Sequence, residues 1–192
     1  MQHAEEIVTA VQKAGVTGAG GAGFPTFFKL KARAEVVIAN GAECEPLTHV
    51  DKELLHHHPA EVIRGLKAVM AATGAPRGVI GVKGKYVDLV AQLRAAMAGS
   101  PELSVCELGN FYPAGDEQVL VYDVTGRVVP EGGLPLNVGC VVQNIETLYN
   151  IAAALDGTPV TTKYITVIGA VRHPVTVRVP LGITLRQVID LA

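Results

Sequence analysis

Short apolar runs alternate with helical patterns through the first half of the chain, and this alternation constrains the fold more than any other feature. Residues 36–39, 78–82 and 103–108 are apolar runs of strand length, while residues 59–74 and 86–98 place apolar side chains at helical spacing. Strands that alternate with helices predict right-handed crossovers and a mainly parallel sheet. The predicted fold is therefore a Rossmann-like α/β domain with helices on both faces of the sheet.

The position of a functional site follows from this fold. Sheets of this class bind ligands in the crevice beyond the carboxyl ends of their parallel strands. Residues 40–51 and 109–117 follow two of the predicted strands, and both loops are rich in glycine, proline and carboxylates. We therefore expect these two loops to build the site.

The composition excludes several classes of protein. The 192-residue chain has a net charge of -2 with 18% charged residues, so no basic surface indicates nucleic-acid binding. No apolar run approaches the roughly 20 residues that a membrane helix needs, and the N-terminus shows no signal-peptide pattern. We expect a cytoplasmic protein whose attachment to the cytoplasmic face of a membrane is peripheral and runs through partner chains.

Neither the cysteines nor the histidines form a metal-binding pattern. Cys44, Cys106 and Cys140 stand far apart, without the close spacing of iron–sulfur ligands, so we expect buried thiols and no cluster in this chain. Residues 56–58 are three consecutive histidines, but neighbours on a helix point about 100° apart and cannot face one ion. A solvated turn ahead of Pro59 is the better interpretation, and no metal site is predicted.

A glycine-rich loop is the most distinctive local feature. Residues 18–23 satisfy the G-x-G-x-x-G dinucleotide fingerprint, but a helical pattern precedes them and Phe24-Pro25 follows, so the strand–loop–helix context of that motif is missing. Consecutive glycines still let backbone N–H groups approach a phosphate, and Lys29 stands close enough to add a cation. The alternative is a flexible surface loop.

Four segments, taken in order, resemble one known family. They are GAGGAGFPT at 18–26 with Lys29 behind it, NGAECEP at 40–46, YPAGDEQ at 112–118 and VVQNIETL at 141–148. Their order and spacing resemble the flavin- and NADH-binding module of respiratory NADH dehydrogenases, the family of the FMN-carrying subunit of complex I. The second segment has the form found in the C subunit of Rnf electron-transport complexes.

The resemblance implies a noncovalently bound FMN, reduced by NADH and reoxidised one electron at a time by iron–sulfur clusters on a partner or on a segment outside this sequence. The flavin carries the hydride transfer, so no side chain is assigned as catalytic. The residues implied to hold FMN are Gly18, Gly20, Gly21, Gly23, Lys29, Asn40, Glu43, Tyr112, Gly115, Asp116, Gln143, Asn144 and Thr147. Those implied to lie near NADH are Phe24, Glu45 and Glu117.

The pattern changes after residue 158. Residues 164–171 and 175–179 read as paired strands, and Thr184 as the cap of a short helix. Strand, turn, strand and helix open a β-grasp domain, and this opening resembles the ligand-binding β-grasp module that follows the flavin domain in the family. We therefore expect an FMN/NADH-binding domain at 1–158 and an incomplete β-grasp domain at 159–192.

Four positions depart from the complex I pattern. Ala19 stands where an arginine is found there, Ala32 replaces an aromatic ring, Cys44 a serine, and Gln143 the first of two asparagines. The loss of one stacking ring and one cation predicts weakened binding of the dinucleotide NADH. Two alternatives therefore stay open: a cofactor-free docking module of an electron-transfer complex, and a flavin carrier that serves another acceptor, as a cobalamin reductase does.

Overall fold

The computed structural model describes residues 2–192, which form a parallel sheet covered by helices and a small antiparallel sheet. The helices are α1 (Gln2–Lys13), α2 (Thr26–Leu30), α3 (Val50–His57), α4 (Pro59–Thr73), α5 (Val87–Ala96), α6 (Glu117–Thr125), α7 (Ile145–Leu155) and α8 (Leu185–Ile189). The strands are β1 (Val36–Gly41), β2 (Arg77–Lys83), β3 (Leu103–Leu108), β4 (Cys140–Asn144), β5 (Thr162–Val167) and β6 (Val175–Pro180). A 3-10 helix (Pro135–Val138) precedes β4.

The main sheet has the strand order β3-β2-β1-β4, and every neighbouring pair in it is parallel. The chain adds β2 and β3 on one side of β1 and then returns to place β4 on the other side. The gap between β1 and β4 is therefore the topological switch point, where open α/β sheets bind ligands. The predicted mainly parallel α/β fold is confirmed.

Helices cover both faces of this sheet, as predicted. Alternate residues of a strand face opposite sides, so Val37 packs into one apolar cluster with α1, α4 and α7, while Ile38 packs into a second cluster with α6. The backbones of α4 and α7 lie so close together that only a glycine fits at position 65. An added Cβ there would lie 2.0 Å from the Leu148 carbonyl oxygen. This packing fixes the N-terminus of α7 at the switch point.

Several helix and strand predictions are confirmed at their ends. Helix α4 begins at Pro59 and stops at Gly74, which adopts a left-handed φ of 72°. The sequence does not predict three of the helices: α2, α3 and α6. α2 is only five residues long, α3 occupies a segment predicted as a loop followed by a turn, and α6 begins where the Asp116 side chain accepts two backbone N–H groups. The predicted turn at residues 56–58 is wrong: His56 and His57 end α3, and His58 links it to α4.

The last part of the chain forms an antiparallel hairpin and a short helix. β5 pairs with β6 and ends at Val167, opposite Val175, so the predicted strand at 164–171 is too long. Gly169, with a φ of 99°, departs from the extended backbone that the strand would need. Thr184 caps α8 as expected. The domain boundary between residues 158 and 159 stays a prediction.

Across residues 2–192, no helix combines the length and the apolar character needed to cross a membrane.

Candidate functional site

A cleft of about 560 Å³ lies at the switch point between β1 and β4, a size that suits a small-molecule site. The glycine loop and α2 form one wall, residues 134–136 form the opposite rim, and β4 forms the floor. Because β4 is an edge strand, one row of its backbone groups lacks a neighbouring strand and faces the cleft.

Most of the residues predicted for cofactor or NADH binding come together here. Those lining the cleft are Gly18, Gly20, Phe24, Lys29, Asn40, Gly115, Glu117, Gln143, Asn144 and Thr147. Those outside its lining are Gly21, Gly23, Glu43, Glu45, Tyr112 and Asp116. The lining residues outside the predicted set are Ala22, Thr26, Phe28, Leu134, Pro135, Leu136, Cys140, Val141 and Val142.

The glycine loop is tied to the rest of the domain by hydrogen bonds. Its ends are closed by a 2.8 Å hydrogen bond from the Gly18 N–H to the Phe24 carbonyl oxygen. The Ala19 N–H donates to Thr147 Oγ1 at 2.9 Å, and Gly20 lies next to Asn144, where an added Cβ would be 3.4 Å from the Asn144 Cβ, in ordinary van der Waals contact. The loop is thus attached to the first turn of α7.

Lys29 is held at the floor of the cleft. Its ammonium donates to Glu117 Oε1 at 3.0 Å and to the Val142 carbonyl oxygen at 2.9 Å. These bonds join α2, α6 and β4 across the cleft, so Lys29 and Glu117 act as one ion pair. One ammonium N–H remains to interact with an anion, because an ammonium has three donors.

Two buried polar groups in the cleft have no hydrogen-bond partner within the described chain. Gln143 is 3% exposed and Thr26 is 1% exposed, and the unpaired atoms are Gln143 Nε2 and Thr26 Oγ1. Buried polar atoms are nearly always hydrogen-bonded, so each exception needs an explanation. Both residues line the cleft, where polar atoms of a ligand are candidate partners for these two atoms. We call Thr26 and Gln143 the ligand-facing pair.

Three other predicted polar residues are bonded within the protein. Asn40 donates to the Gly115 carbonyl oxygen at 2.8 Å and accepts from the Ala42 N–H at 3.2 Å. The Asn144 Oδ1 accepts from the Glu146 N–H at 2.9 Å and thereby caps α7. With Thr147 bonded to the glycine loop, these side chains hold the walls of the cleft in place.

A layer of carboxylates lies beneath Asn144 and away from the cleft. We call Glu43, Asp51 and Glu146, together with Lys163, the acidic layer. Both Asp51 carboxylate oxygens lie near Asn144 Nδ2, at 3.0 and 3.1 Å. Glu43 accepts the N–H groups that begin α3, and the 1% exposed Glu146 accepts from the Lys163 ammonium.

Asp51 carries the largest perturbation in this layer. Burial, followed by the neighbouring negative charge of Glu43, raises its pKa to about 7 from an ordinary value of 3.8, against the hydrogen bond from Asn144. The backbone here is also constrained, because Glu43 has a left-handed φ of 42° without being a glycine. Asp51 ends a loop that the sequence marked as rich in carboxylates, whereas no sequence signal indicated Lys163.

The predicted residues outside the cleft have structural positions of their own. Gly21 and Gly23 adopt left-handed φ values of 122° and 63°, so they shape the loop, and added Cβ atoms would meet open space. Asp116 caps α6, and Tyr112 is 71% exposed. Glu45 is exposed in the loop after β1.

Two aromatic rings border the mouth of the cleft. Phe24 and Phe28 are 47% and 54% exposed, and their ring centroids lie 6.0 Å apart. Exposed aromatic faces at a cleft suit the stacking of a flat heterocycle. Among residues 2–192, no group of three or more histidine, cysteine or carboxylate side chains is arranged to hold a metal ion.

Comparison with known proteins gives consistent results. Residues 11–153 match the family Complex1_51K, described as the Nuo51 FMN-binding domain. Over 190 residues, the chain is 45% identical to the cobalamin reductase PduS of Salmonella typhimurium, covering 98% of this chain and 42% of that protein. It is 37% identical over 193 residues to the C subunit of the Na(+)-translocating ferredoxin:NAD(+) oxidoreductase complex of Acetobacterium woodii, covering 97% of this chain and 44% of that protein.

The fold is also shared with a solved structure. A chain of an NAD+-reducing NiFe hydrogenase in the air-oxidized state matches 97% of this chain with a TM-score of 0.84 and 29% identity, and the match covers 38% of the hydrogenase chain. This chain therefore spans about two fifths of the length of its relatives. The resemblance drawn from the four sequence segments is confirmed: this chain belongs to the family of Nuo51 FMN-binding domains from complex I-like electron-transfer proteins.

Proposed function

We propose that this chain binds FMN in the cleft at the β1/β4 switch point and serves as the flavin module of an electron-transferring oxidoreductase. The ligand-facing pair is the observation that carries the proposal, because a chain of this family leaves Gln143 Nε2 and Thr26 Oγ1 unpaired in that cleft. A flavin ring system offers several oxygen and nitrogen atoms along one edge, which can accept from an amide N–H and exchange a hydrogen bond with a hydroxyl.

The other walls of the cleft fit the remaining parts of FMN. Glycines at 18 and 20 leave backbone close to the cavity, where side chains would obstruct a phosphate or a ribityl chain. Lys29 supplies positive charge, partly balanced by Glu117. Asn40, Asn144 and Thr147 act in this proposal by holding the walls rather than by binding the ligand through free polar atoms.

NADH is the electron donor in this proposal. The exposed rings of Phe24 and Phe28 offer stacking surfaces at the mouth of the cleft, and Glu117, which lines the same cleft, can accept from hydroxyl or amide N–H groups. Phe28 supplies the second aromatic surface that Ala32 lacks. Two of the matched proteins, an NAD+-reducing hydrogenase and a ferredoxin:NAD(+) oxidoreductase subunit, are named for reactions with NAD+, which agrees with a nicotinamide donor.

Bound FMN would supply the conversion of a two-electron donor into single electrons, which iron–sulfur partners can accept. The residues of this chain would orient it: the ligand-facing pair fixes one edge, and the Lys29–Glu117 pair holds the floor. The acceptors belong to partner chains or to further segments, since relatives are more than twice as long.

A corrinoid is the favoured candidate for the terminal acceptor. Two cobalamin reductases, from Salmonella typhimurium and Citrobacter freundii, are 45% and 43% identical to this chain. These identities exceed the 37% shared with the ferredoxin:NAD(+) oxidoreductase subunit. We therefore propose cobalamin, reached through clusters outside this chain, as the terminal acceptor in preference to the acceptor of a Na(+)-translocating complex.

Flavin fluorescence tests the first step. Titrating the purified chain with FMN should quench the fluorescence in a saturable, one-to-one manner, and anaerobic NADH should then bleach the flavin absorbance. FMN binding without bleaching would contradict the NADH proposal alone. Absence of FMN binding would contradict the flavin proposal and favour a cofactor-free docking module.

The aromatic rim gives a sharper test of the NADH step. Phe28→Ala should weaken the apparent NADH affinity about fivefold, since one aromatic stacking contact contributes on the order of 1 kcal/mol. FMN affinity should change less. Phe111→Ala is the matched control, because Phe111 is similarly exposed at 46% but does not line the cleft. Equal effects of the two variants would remove Phe28 from the NADH site.

A further inference from the structure

Asp51 is one side chain away from the cleft. It belongs to the first turn of α3, and its carboxylate meets Asn144 Nδ2 at 3.0 and 3.1 Å, while Asn144 itself lines the cavity. The orientation of this amide is fixed, because Asn144 Oδ1 accepts from the Glu146 N–H that begins α7. Asn144 can therefore only donate toward Asp51 and offers it no acceptor for a proton.

Charged groups face Asp51 from each element packed against it. Glu43 approaches from the loop after β1, with its carboxylate 3.2 Å from the Asp51 N–H. Glu146 approaches from α7, and Lys163 from β5 opposes that charge. On α3 itself, the Lys52 ammonium lies 3.2 Å from His49 Nδ1.

The Lys83 ammonium reaches the same loop from β2, where it donates to the Glu43 carbonyl oxygen at 3.2 Å. The beginning of α3 also favours negative charge through its free N–H groups. Burial and the negative charge of Glu43 outweigh these groups that favour the ionised carboxylate. The pKa of Asp51 is therefore raised to about 7. Asp51 is thus divided between its two protonation states near neutral pH.

A group in that condition responds to any charge added nearby. Negative charge entering a cleft of low polarity disfavours a carboxylate one side chain away and favours its neutral form. We propose that Asp51 is a positioning residue that takes up one proton from solvent when an electron pair enters the cleft from a hydride donor, and returns it when the electrons leave. This inference rests on the proposed flavin function.

The proton balance is simple. One O–H bond forms on the Asp51 carboxylate as the hydride donor is oxidised, and the same bond breaks as the electrons pass to the acceptor. The electrons themselves never reside on Asp51. The neutral form of Asp51 removes one of the three negative charges of the acidic layer. The electrostatic repulsion between this layer and electrons added in the cleft is therefore smaller.

The test measures the flavin midpoint potential of the FMN-loaded protein by spectroelectrochemistry from about pH 6 to pH 9. Asp51→Asn mimics the protonated carboxyl in shape and cannot titrate. Asp88→Asn is the matched control, because Asp88 also lies in a helical first turn, on α5, but is exposed. The wild type and Asp88→Asn should show a steeper fall of potential with pH, up to about pH 8, than Asp51→Asn.

A wild-type measurement guards against a misfolded variant. In protein labelled with 13C-aspartate, one carboxyl resonance should titrate near neutral pH, and its midpoint should rise after chemical reduction of the bound FMN. Equal slopes for the wild type and Asp51→Asn, or a resonance unmoved by reduction, would overturn the inference while leaving FMN binding intact. Failure to bind FMN at every pH would instead overturn the proposed function, and this inference with it.

Discussion

The ligand-facing pair and the acidic layer show two opposite uses of polar residues around one cleft. Gln143 and Asn144 are neighbours in the same sequence segment, yet the Gln143 amide nitrogen has no partner and the Asn144 amide is bonded at both ends. The first arrangement leaves hydrogen-bonding capacity for a ligand. The second uses that capacity to fix α7 and α3. Position in a motif therefore does not separate binding residues from supporting ones.

The two regions also differ in what they cost the protein without a ligand. Each unpaired buried polar atom costs about 1–3 kcal/mol, which a bound ligand can restore. The acidic layer instead brings three carboxylates together with one ammonium, Lys163, which pairs with Glu146. Repulsion between the carboxylates, rather than missing hydrogen bonds, lowers the stability of the fold. Stability measurements should detect the acidic layer, and ligand titrations should detect the ligand-facing pair.

The largest effect is expected from Lys163→Met. This change leaves Glu146, which is 1% exposed, without its cation, so we expect a loss of about 2–3 kcal/mol in the free energy of unfolding. Urea denaturation followed by circular dichroism measures it. Lys67→Met is the control, because its partner Glu102 is far more exposed and the loss should stay below about 1 kcal/mol. Equal losses would mean that the acidic layer is not a buried charge cluster.

The next effect concerns pH. The folded pKa of Asp51 is raised to about 7, so its protonated form favours the folded state. The stability that this group provides is complete below about pH 4 and is lost as the pH rises through about 7. Asp51→Asn should therefore be more stable than the wild type at pH 8, by about 2 kcal/mol, and equal to it near pH 4. A constant difference across this range, measured by urea unfolding, would contradict the assigned titration.

Asn144→Ala should have a smaller effect on stability, of about 1–2 kcal/mol, because it removes the N-cap of α7 and the donor to Asp51. Thermal unfolding measures the change. Asn150→Ala, on the same helix but outside these contacts, is the matched control. An Asn144→Ala protein as stable as this control would mean that the asparagine is free to bind ligand, as the sequence comparison alone implied.

Much of the fold could be predicted from sequence because its signals are local. Apolar runs and helical spacing placed β1, β2, β3 and α4, and Pro59 and Gly74 marked the ends of α4. α3 and α6 were missed because tertiary contacts stabilise them: α3 is short and ends in histidines, and α6 depends on the Asp116 cap. Residues 141–144 of β4 are identifiable from sequence as part of a family motif, but the sequence does not predict that they form a strand.

The candidate site could be predicted only as a set of residues. The motifs gathered Lys29, Asn40, Gln143 and Asn144, which do line one cleft. Which of them are already hydrogen-bonded depends on distances between segments far apart in sequence, such as Asn144 and Asp51, and a single sequence does not contain that information. For the same reason the acidic layer could not be foreseen.

One measurement tests the central claim, that the cleft at the β1/β4 switch point binds flavin through the ligand-facing pair. The wild type and Gln143→Leu are titrated with FMN by fluorescence, beside thermal unfolding of the ligand-free proteins. The wild type should bind one FMN. Gln143→Leu should bind about tenfold more weakly, because it loses one hydrogen bond, and should be equally or more stable, since an unpaired buried amide is gone. Unchanged FMN affinity in Gln143→Leu, or no binding by the wild type, would contradict the claim.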